Sequence, residues 1–178
     1  MKKFVCHIIL ISMIFSCADD QDFNQFDDLS VEPTLASSIF YFESDETTIN
    51  LAGPGAFYAQ SFTFEAFNEA FISDNILDGI ITYEVENTTS KELQITIDFL
   101  DVDGNILDSE SFIIQPEPAP LLERQIAYGA GGRSLDILRN TTDIRVNGEN
   151  LGDAVSTSPQ TEPKIILRSS AEFRLKLR

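Results

Sequence analysis

Residues 81–107, ITYEVENTTSKELQITIDFLDVDGNIL, carry the pattern that decides the fold. Ile81, Tyr83 and Val85 alternate with Thr82, Glu84 and Glu86. After Asn87-Thr88-Thr89-Ser90-Lys91, Leu93, Ile95, Ile97 and Phe99 alternate with Gln94, Thr96 and Asp98. A period of two puts the apolar residues of each segment on one face, as in a strand with one buried side. Asp101-Val102-Asp103-Gly104-Asn105 is a second polar break, and Ile106 to Ile114 runs back. The spacing predicts a meander of three antiparallel strands joined by two turns. Pro116, Pro118 and Pro120 end it, because proline has no N–H to give a ladder.

The C-terminal residues repeat the theme. Ile165, Leu167, Ser169, Ala171, Phe173, Leu175 and Leu177 fall on one face, with Lys164, Arg168, Glu172, Arg174, Lys176 and Arg178 on the other and Ile166 out of pattern. The small pair Ser169-Ser170 marks a place for a bulge in so long a strand. Upstream, Ile39 to Phe42, Ile49 to Leu51 and Phe57 to Phe67 read as further strands around a break at Gly53-Pro54-Gly55, and Ile144 and Val146 as another. Ser134 can cap one short helix through Leu135, Ile137 and Leu138 that ends near Asn140. Roughly seven to nine strands at ~8–12-residue spacing predict an all-β, antiparallel β-sandwich over residues 34–178, with an Ig-like Greek-key order.

The run YEVENTTSKELQITIDFLDVDGNIL resembles the strand, Asn-Thr turn, strand and Asp-x-Asp-Gly turn of FxLYD-type and related Ig-like domains of bacterial lipoproteins. The longer array from DNILDGIITYEVENTT through DILRNTTDIRV to LRSSAEFRLKL resembles small lipoproteins of flavobacteria. These resemblances imply a fold and bring no activity with them.

The first sixteen residues are of another kind. Lys2 and Lys3 precede an apolar run from Phe4 to Phe15, interrupted by His7 and Ser12, and Ser16 then precedes Cys17. This is the layout of a secretory signal, and its run of about twelve residues is too short for a ~30 Å hydrocarbon core. Ile14-Phe15-Ser16-Cys17 resembles the lipobox of bacterial lipoproteins, which implies that Cys17 becomes the lipidated first residue of the mature chain. An ordinary cleaved signal beside an incidental cysteine is the alternative, but a lone exported thiol would have no partner. Acyl chains contribute ~0.8 kcal/mol per buried methylene, so an acylated cysteine anchors durably. The acids Asp19, Asp20 and Asp22 resemble the surface-export signal of lipoproteins from the Bacteroidota. Residues 17–33 also have the composition of a solvated tether, low in apolar side chains and high in charge. The expected setting is the bacterial outer membrane, at the cell surface.

Composition removes several chemistries. The chain has 12 Lys and Arg against 29 Asp and Glu, one His and no Trp, and that His lies in the signal. Nucleophile systems that rest on histidine are thereby excluded, as are zinc sites built from His or Cys. The acidic balance disfavours nucleic acid, because phosphate contact needs a basic face. No cofactor is expected. The expected role is a binding or assembly module with an envelope protein as partner. A carboxylate-dependent glycan hydrolase, and a purely structural envelope protein, are the alternatives. From Cys17 to Ser90 there are 15 acids and no Lys or Arg, so the basic C-terminal segment is expected to lie beside acidic strands.

Five stretches draw notice as sites. Asp101, Asp103 and Asn105 offer alternate oxygens to a calcium ion, although the glycine comes too early for an EF-hand loop and a hairpin turn is the plainer reading. Gly129-Ala130-Gly131-Gly132-Arg133-Ser134 precedes the helix and offers Arg133 to an anion, with a flexible connection as the plainer reading. Asn87-Thr88-Thr89 and Asn140-Thr141-Thr142 match the glycosylation acceptor and suit turns better. Phe57, Tyr58, Phe62, Phe64, Phe67 and Phe71 are expected to fill the core, with an exposed docking patch as the alternative.

Overall fold

The alternating segments become eight strands: β1 (Thr34–Asp45), β2 (Gly55–Thr63), β3 (Ile76–Asn87), β4 (Leu93–Leu100), β5 (Ile106–Ile114), β6 (Leu122–Gly129), β7 (Asp143–Asn150) and β8 (Lys164–Leu175). The structure is a computed structural model that describes residues 30–64 and 70–177. Cys17, Asp19, Asp20, Asp22, the signal and Phe67 lie outside those residues. Two four-stranded sheets form, in the orders β1-β8-β3-β6 and β2-β7-β4-β5, with every neighbouring pair antiparallel. The all-β antiparallel sandwich is thus as expected.

Its connectivity differs from the expected Ig-like order. β4 and β5 form a hairpin, and β3 with β6, β2 with β7 and β1 with β8 pair outside it in succession. The chain is one long hairpin doubled on itself and rolled, the arrangement of a jelly roll. The expected three-strand meander is corrected by the same finding. β4 pairs β5, whereas β3 lies in the other sheet between β8 and β6. The alternation of Ile81, Tyr83 and Val85 reveals which face is buried, and all three are fully buried. It does not say whether the polar break that follows turns back within a sheet or crosses to the opposite one. Here the break crosses.

The side chain of Asn87 holds that crossing. Its amide donates to the carbonyls of Lys91 and Gln115, both at 2.9 Å, and its oxygen accepts from the Thr89 N–H at 3.0 Å and hydroxyl at 2.7 Å. Asn87 is buried, so the first of the two glycosylation-like triplets is a corner lock rather than an acceptor. Asn140 closes the last helix by donating to the Asp136 carbonyl at 2.7 Å.

Three short helices occur among the described residues where one was expected: α1 (Glu46–Ala52), α2 (Ala70–Asn75) and α3 (Leu135–Asn140). The predicted strand at Ile49 to Leu51 is α1. Asp45 ends β1 in extended geometry and its carboxylate accepts the Thr48 N–H at 2.7 Å, an N-cap that outweighs a three-residue apolar run. Gly53 closes the helix by donating to the carbonyls of Ile49 and Asn50. Ser134 caps α3 as predicted, accepting from the Asp136 N–H.

The bulge expected at Ser169-Ser170 sits opposite them. Ser38 and Phe40 face Ser170 and Ser169, so the extra residue is Ile39 of β1, while β8 pairs with β3 without a shift through Ser169-Ser170, the register of that pair slipping only between Ile76 and Asp78. Ile165, Leu167, Ser169, Ala171 and Leu175 are buried as the pattern required, while Leu177 lies past the strand and is exposed. The basic strand is flanked by acidic ones as expected. Lys164 meets Glu43 at 3.5 Å, Arg168 meets Glu86 at 3.9 Å, and Arg174 meets Glu32 at 3.3 Å and Asp78. The crowded aromatics are mostly core. Phe40 stacks on Phe62 with ring centroids 5.4 Å apart, and Tyr58 packs on Phe42 at 4.0 Å. Phe57 covers Gly148 so closely that a Cβ there would come within 2.7 Å of the ring, so only glycine fits beneath it. Phe71 is exposed.

Candidate functional site

Asp101 to Asn105 form the β4–β5 hairpin turn. The Asp101 carboxylate accepts from the N–H groups of Asp103 (2.9 Å) and Asn105 (2.8 Å) and from the Asn105 amide (2.9 Å). Gly104 has φ 81° and its N–H returns to the Asp101 carbonyl at 3.0 Å, a turn that disfavours any side chain there. Asp101 therefore faces the donors of its own loop, and the residues do not converge as a calcium cage. Among the described residues no three His, Cys, Asp or Glu side chains are grouped as metal ligands.

The Asn105 amide, followed by the Asn105 N–H, holds the Asp101 carboxyl below its ordinary value of 3.8. The Thr48 N–H does the same for Asp45, and the Lys91 ammonium for Asp153. A folded pKa below the unfolded one gives stability that is present above about pH 3.8 and is lost as pH falls through the lower folded value. Carboxyl NMR titration should place all three midpoints below 3.8. Midpoints at or above that value would remove these hydrogen bonds from the account.

Sequence reasoning offered Arg133 to an external anion, but the structure gives it internal ones. Its guanidinium meets Asp108 at 2.6 Å and pairs with Glu110 as well. Asp108 and Glu110 lie on the inward face of β5 with Phe112 and Ile114, a parity visible in the sequence once β5 is recognised. Glu110 is 4 % exposed. Arg124 of β6 also turns inward, 3.4 Å from Glu110 and with its guanidinium 5.0 Å over the Phe112 ring. Across the sandwich, Tyr128 donates to Asp108 at 3.3 Å, and its burial pushes the phenol above its ordinary range. The fully buried Tyr83 hydroxyl has no hydrogen-bond partner among the described residues, and desolvation raises its pKa as well. Charges pointing inward from an edge strand discourage pairing with another chain at that edge. Asp108 and Glu110 are the paired acids a hydrolase reading would reach for, and Arg133 engages both.

A second polar cluster closes one end of the sandwich. Glu46 is 1 % exposed and accepts from the Ser90 hydroxyl and N–H. Lys91 is equally buried and donates to Asp153 and to the Val155 carbonyl, both at 2.6 Å. Thr157 and Ser158 add bonds to Ser90 and Thr88, so residues 151–163 are pinned across the crossing after β3. Nothing in the sequence singled out Lys91 or Glu46, since a charged residue after a polar turn reads as solvated.

Two depressions flank the proline loop between β5 and β6. One, of about 340 Å³, is lined by Ile113, Ile114, Ala119, Pro120, Leu121 and Leu122. The other, of about 570 Å³, is polar and bordered by Glu86, Thr88, Glu117, Gln160 and Arg168. β5 and β6 are edge strands of their two sheets, and the loop joins them. Ile113 and Leu121 are 58 % and 53 % exposed, which makes this side of the molecule the candidate interface.

Comparison of the chain with protein-family models and with curated proteins gives no match. Among solved structures it is similar to the VP2 subviral particle of infectious bursal disease virus, with TM-score 0.38 and 11% identity over 83% of this chain and 33% of that one. It is similar to a structure of Bacillus endospore appendages, with TM-score 0.37 and 9% identity over 82% of this chain and 91% of that one. A third is a desmodium yellow mottle tymovirus structure, with TM-score 0.35 and 10% identity over 83% of this chain and 90% of that one. At these identities and scores the likenesses carry no functional argument, and the jelly-roll order rests on the strand pairing above.

Proposed function

We propose that this chain is a lipid-anchored lipoprotein of the bacterial outer membrane, displayed at the cell surface, whose sandwich binds or helps assemble another envelope protein. The observation that carries the reading is the junction Ile14-Phe15-Ser16-Cys17 with Asp19, Asp20 and Asp22 directly behind it. The body supports it in a second way. Arg133, Lys91 and the inward acids are held by partners within the fold, which leaves recognition to the outer faces and edges. Residues 17–33 supply a charged tether between anchor and body.

Mass spectrometry of the native protein should find Cys17 as the first residue, carrying acyl mass. Cys17→Ala should move the protein from the membrane to the soluble fraction, and protease added to intact cells should digest the wild type. A native N-terminus elsewhere without acyl mass would overturn the anchor. Resistance to external protease with the anchor intact would overturn surface display.

A further inference from the structure

Across the outer face of its sheet, β8 supplies cations to its neighbours: Lys164 to Glu43, Arg168 to Glu86 and Arg174 to Asp78. Toward the far edge of the same sheet, β6, that supply thins out. Glu84 of β3 stands directly opposite Glu123 of the edge strand β6 in the register. Like charges facing each other across a pair of strands destabilise it. Two arginines lie close enough to relieve them: Arg124, next along β6, is turned inward to Glu110, and Arg168 of β8, opposite Glu84 on its other side, makes its ion pair with Glu86 at 3.9 Å. Glu123 has a hydrogen bond from Gln125 and Glu117 one from Gln160, but no Lys or Arg pairs with Glu84, Glu117 or Glu123 among the described residues.

Beside these acids lies the apolar depression under the proline loop, with Ile113 and Leu121 exposed at its rim. An edge strand offers a ladder of backbone groups to an added strand, and alternate side chains of that strand then face alternate sides of the sheet. We propose that the β6 edge and the adjoining proline-loop groove dock an extended, basic segment of a partner protein, with alternating cationic and apolar side chains. The cations meet Glu84, Glu117 and Glu123, and the apolar side chains meet Leu121 and Ile113. β6 receives it because Glu123 lies on that strand, and the stretch of its edge that is open among the described residues is Leu122–Gln125, since the Ala127 carbonyl and Gly129 N–H farther along already bond Arg133. This deepens the binding-module reading and rests on it, by naming the chemistry of the partner.

The test uses the full chain, purified in the processed form the cell makes, and synthetic octapeptides followed by calorimetry. An alternating Lys-Val peptide should bind, and its affinity should fall on the order of tenfold in Glu84→Gln/Glu123→Gln. Leu121→Ser should weaken it too, whereas Glu149→Gln, on β7 of the other sheet, should not. Alternating Glu-Val and Lys-Ser peptides should bind at least tenfold more weakly, since each lacks one half of the match. Absence of Lys-Val binding, equal binding of the Lys-Ser peptide, or equal losses at Glu149 and at the Glu84/Glu123 pair would overturn the site. None of these outcomes depends on where Cys17 ends up, so this proposal and the anchor fail separately.

Discussion

Asn87→Ala should lower the stability of the domain by about 3 kcal/mol or more, the largest effect expected of an uncharged substitution here. The amide is buried and makes four hydrogen bonds, so alanine leaves the Lys91 and Gln115 carbonyls and the Thr89 N–H without it. Each buried group stranded in this way costs about 1–3 kcal/mol. At roughly 2–4 °C per kcal/mol for a domain of this size, the melting temperature should drop by about 6–12 °C. Asn87→Asp separates the two halves of the lock, because it keeps the acceptor for Thr89 and loses both donations. A melting temperature within about 2 °C of wild type for either variant would mean that the crossing is held by something else.

Arg133→Met should be comparably severe for an electrostatic reason. It leaves Glu110 and Asp108 without their principal cation, and breaking a buried pair from one side costs about 3–5 kcal/mol, an upper bound here because Arg133 is 35 % exposed and Arg124 stays beside Glu110. The methionine keeps most of the packed volume, so the loss reports charge rather than a cavity. Glu110→Gln in the same background should restore part of the stability, because a neutral amide is far less costly to bury than an unpaired carboxylate. Arg124 sits 3.4 Å from Glu110 and is 47 % exposed, so its removal should cost much less. Chemical denaturation of the three variants checks the order. If Glu110→Gln worsened Arg133→Met, the acid would not be the source of the penalty.

How far the sequence could be read follows from what each signal measures. Alternation reports solvent on one side of a strand, and on that point Ile81, Tyr83, Val85, Leu93, Ile95 and Ile97 were all legible. Partner choice is not written in alternation, so the step after Asn87 looked like a hairpin and is a crossing between sheets. α1 was hidden because its only strong local signal is the Asp45 cap, while Ile49 and Leu51 by themselves suit a strand. The acids of β5 and the ammonium of Lys91 were hidden by a habit of mind rather than by physics. Charged side chains are assumed to face water, and only their partners, Arg133 and Asp153, distant in the chain, make burial affordable. The candidate docking edge depends on the register of Glu84 with Glu123, which no local pattern contains.

The doubled-hairpin topology bears on the order in which the sheets can close. β8 is the last of the eight described strands in the chain, yet it sits in the interior of its sheet, between β1 and β3. Until its 12 residues leave the ribosome, the first strand has no neighbour to pair with. Contacts this remote in sequence form slowly, because loop closure is paid in entropy before any pairing rewards it. In a chain of this design the edge strand β1 closes onto its sheet only after β8 has been made, so that pairing is a late event in assembling the body.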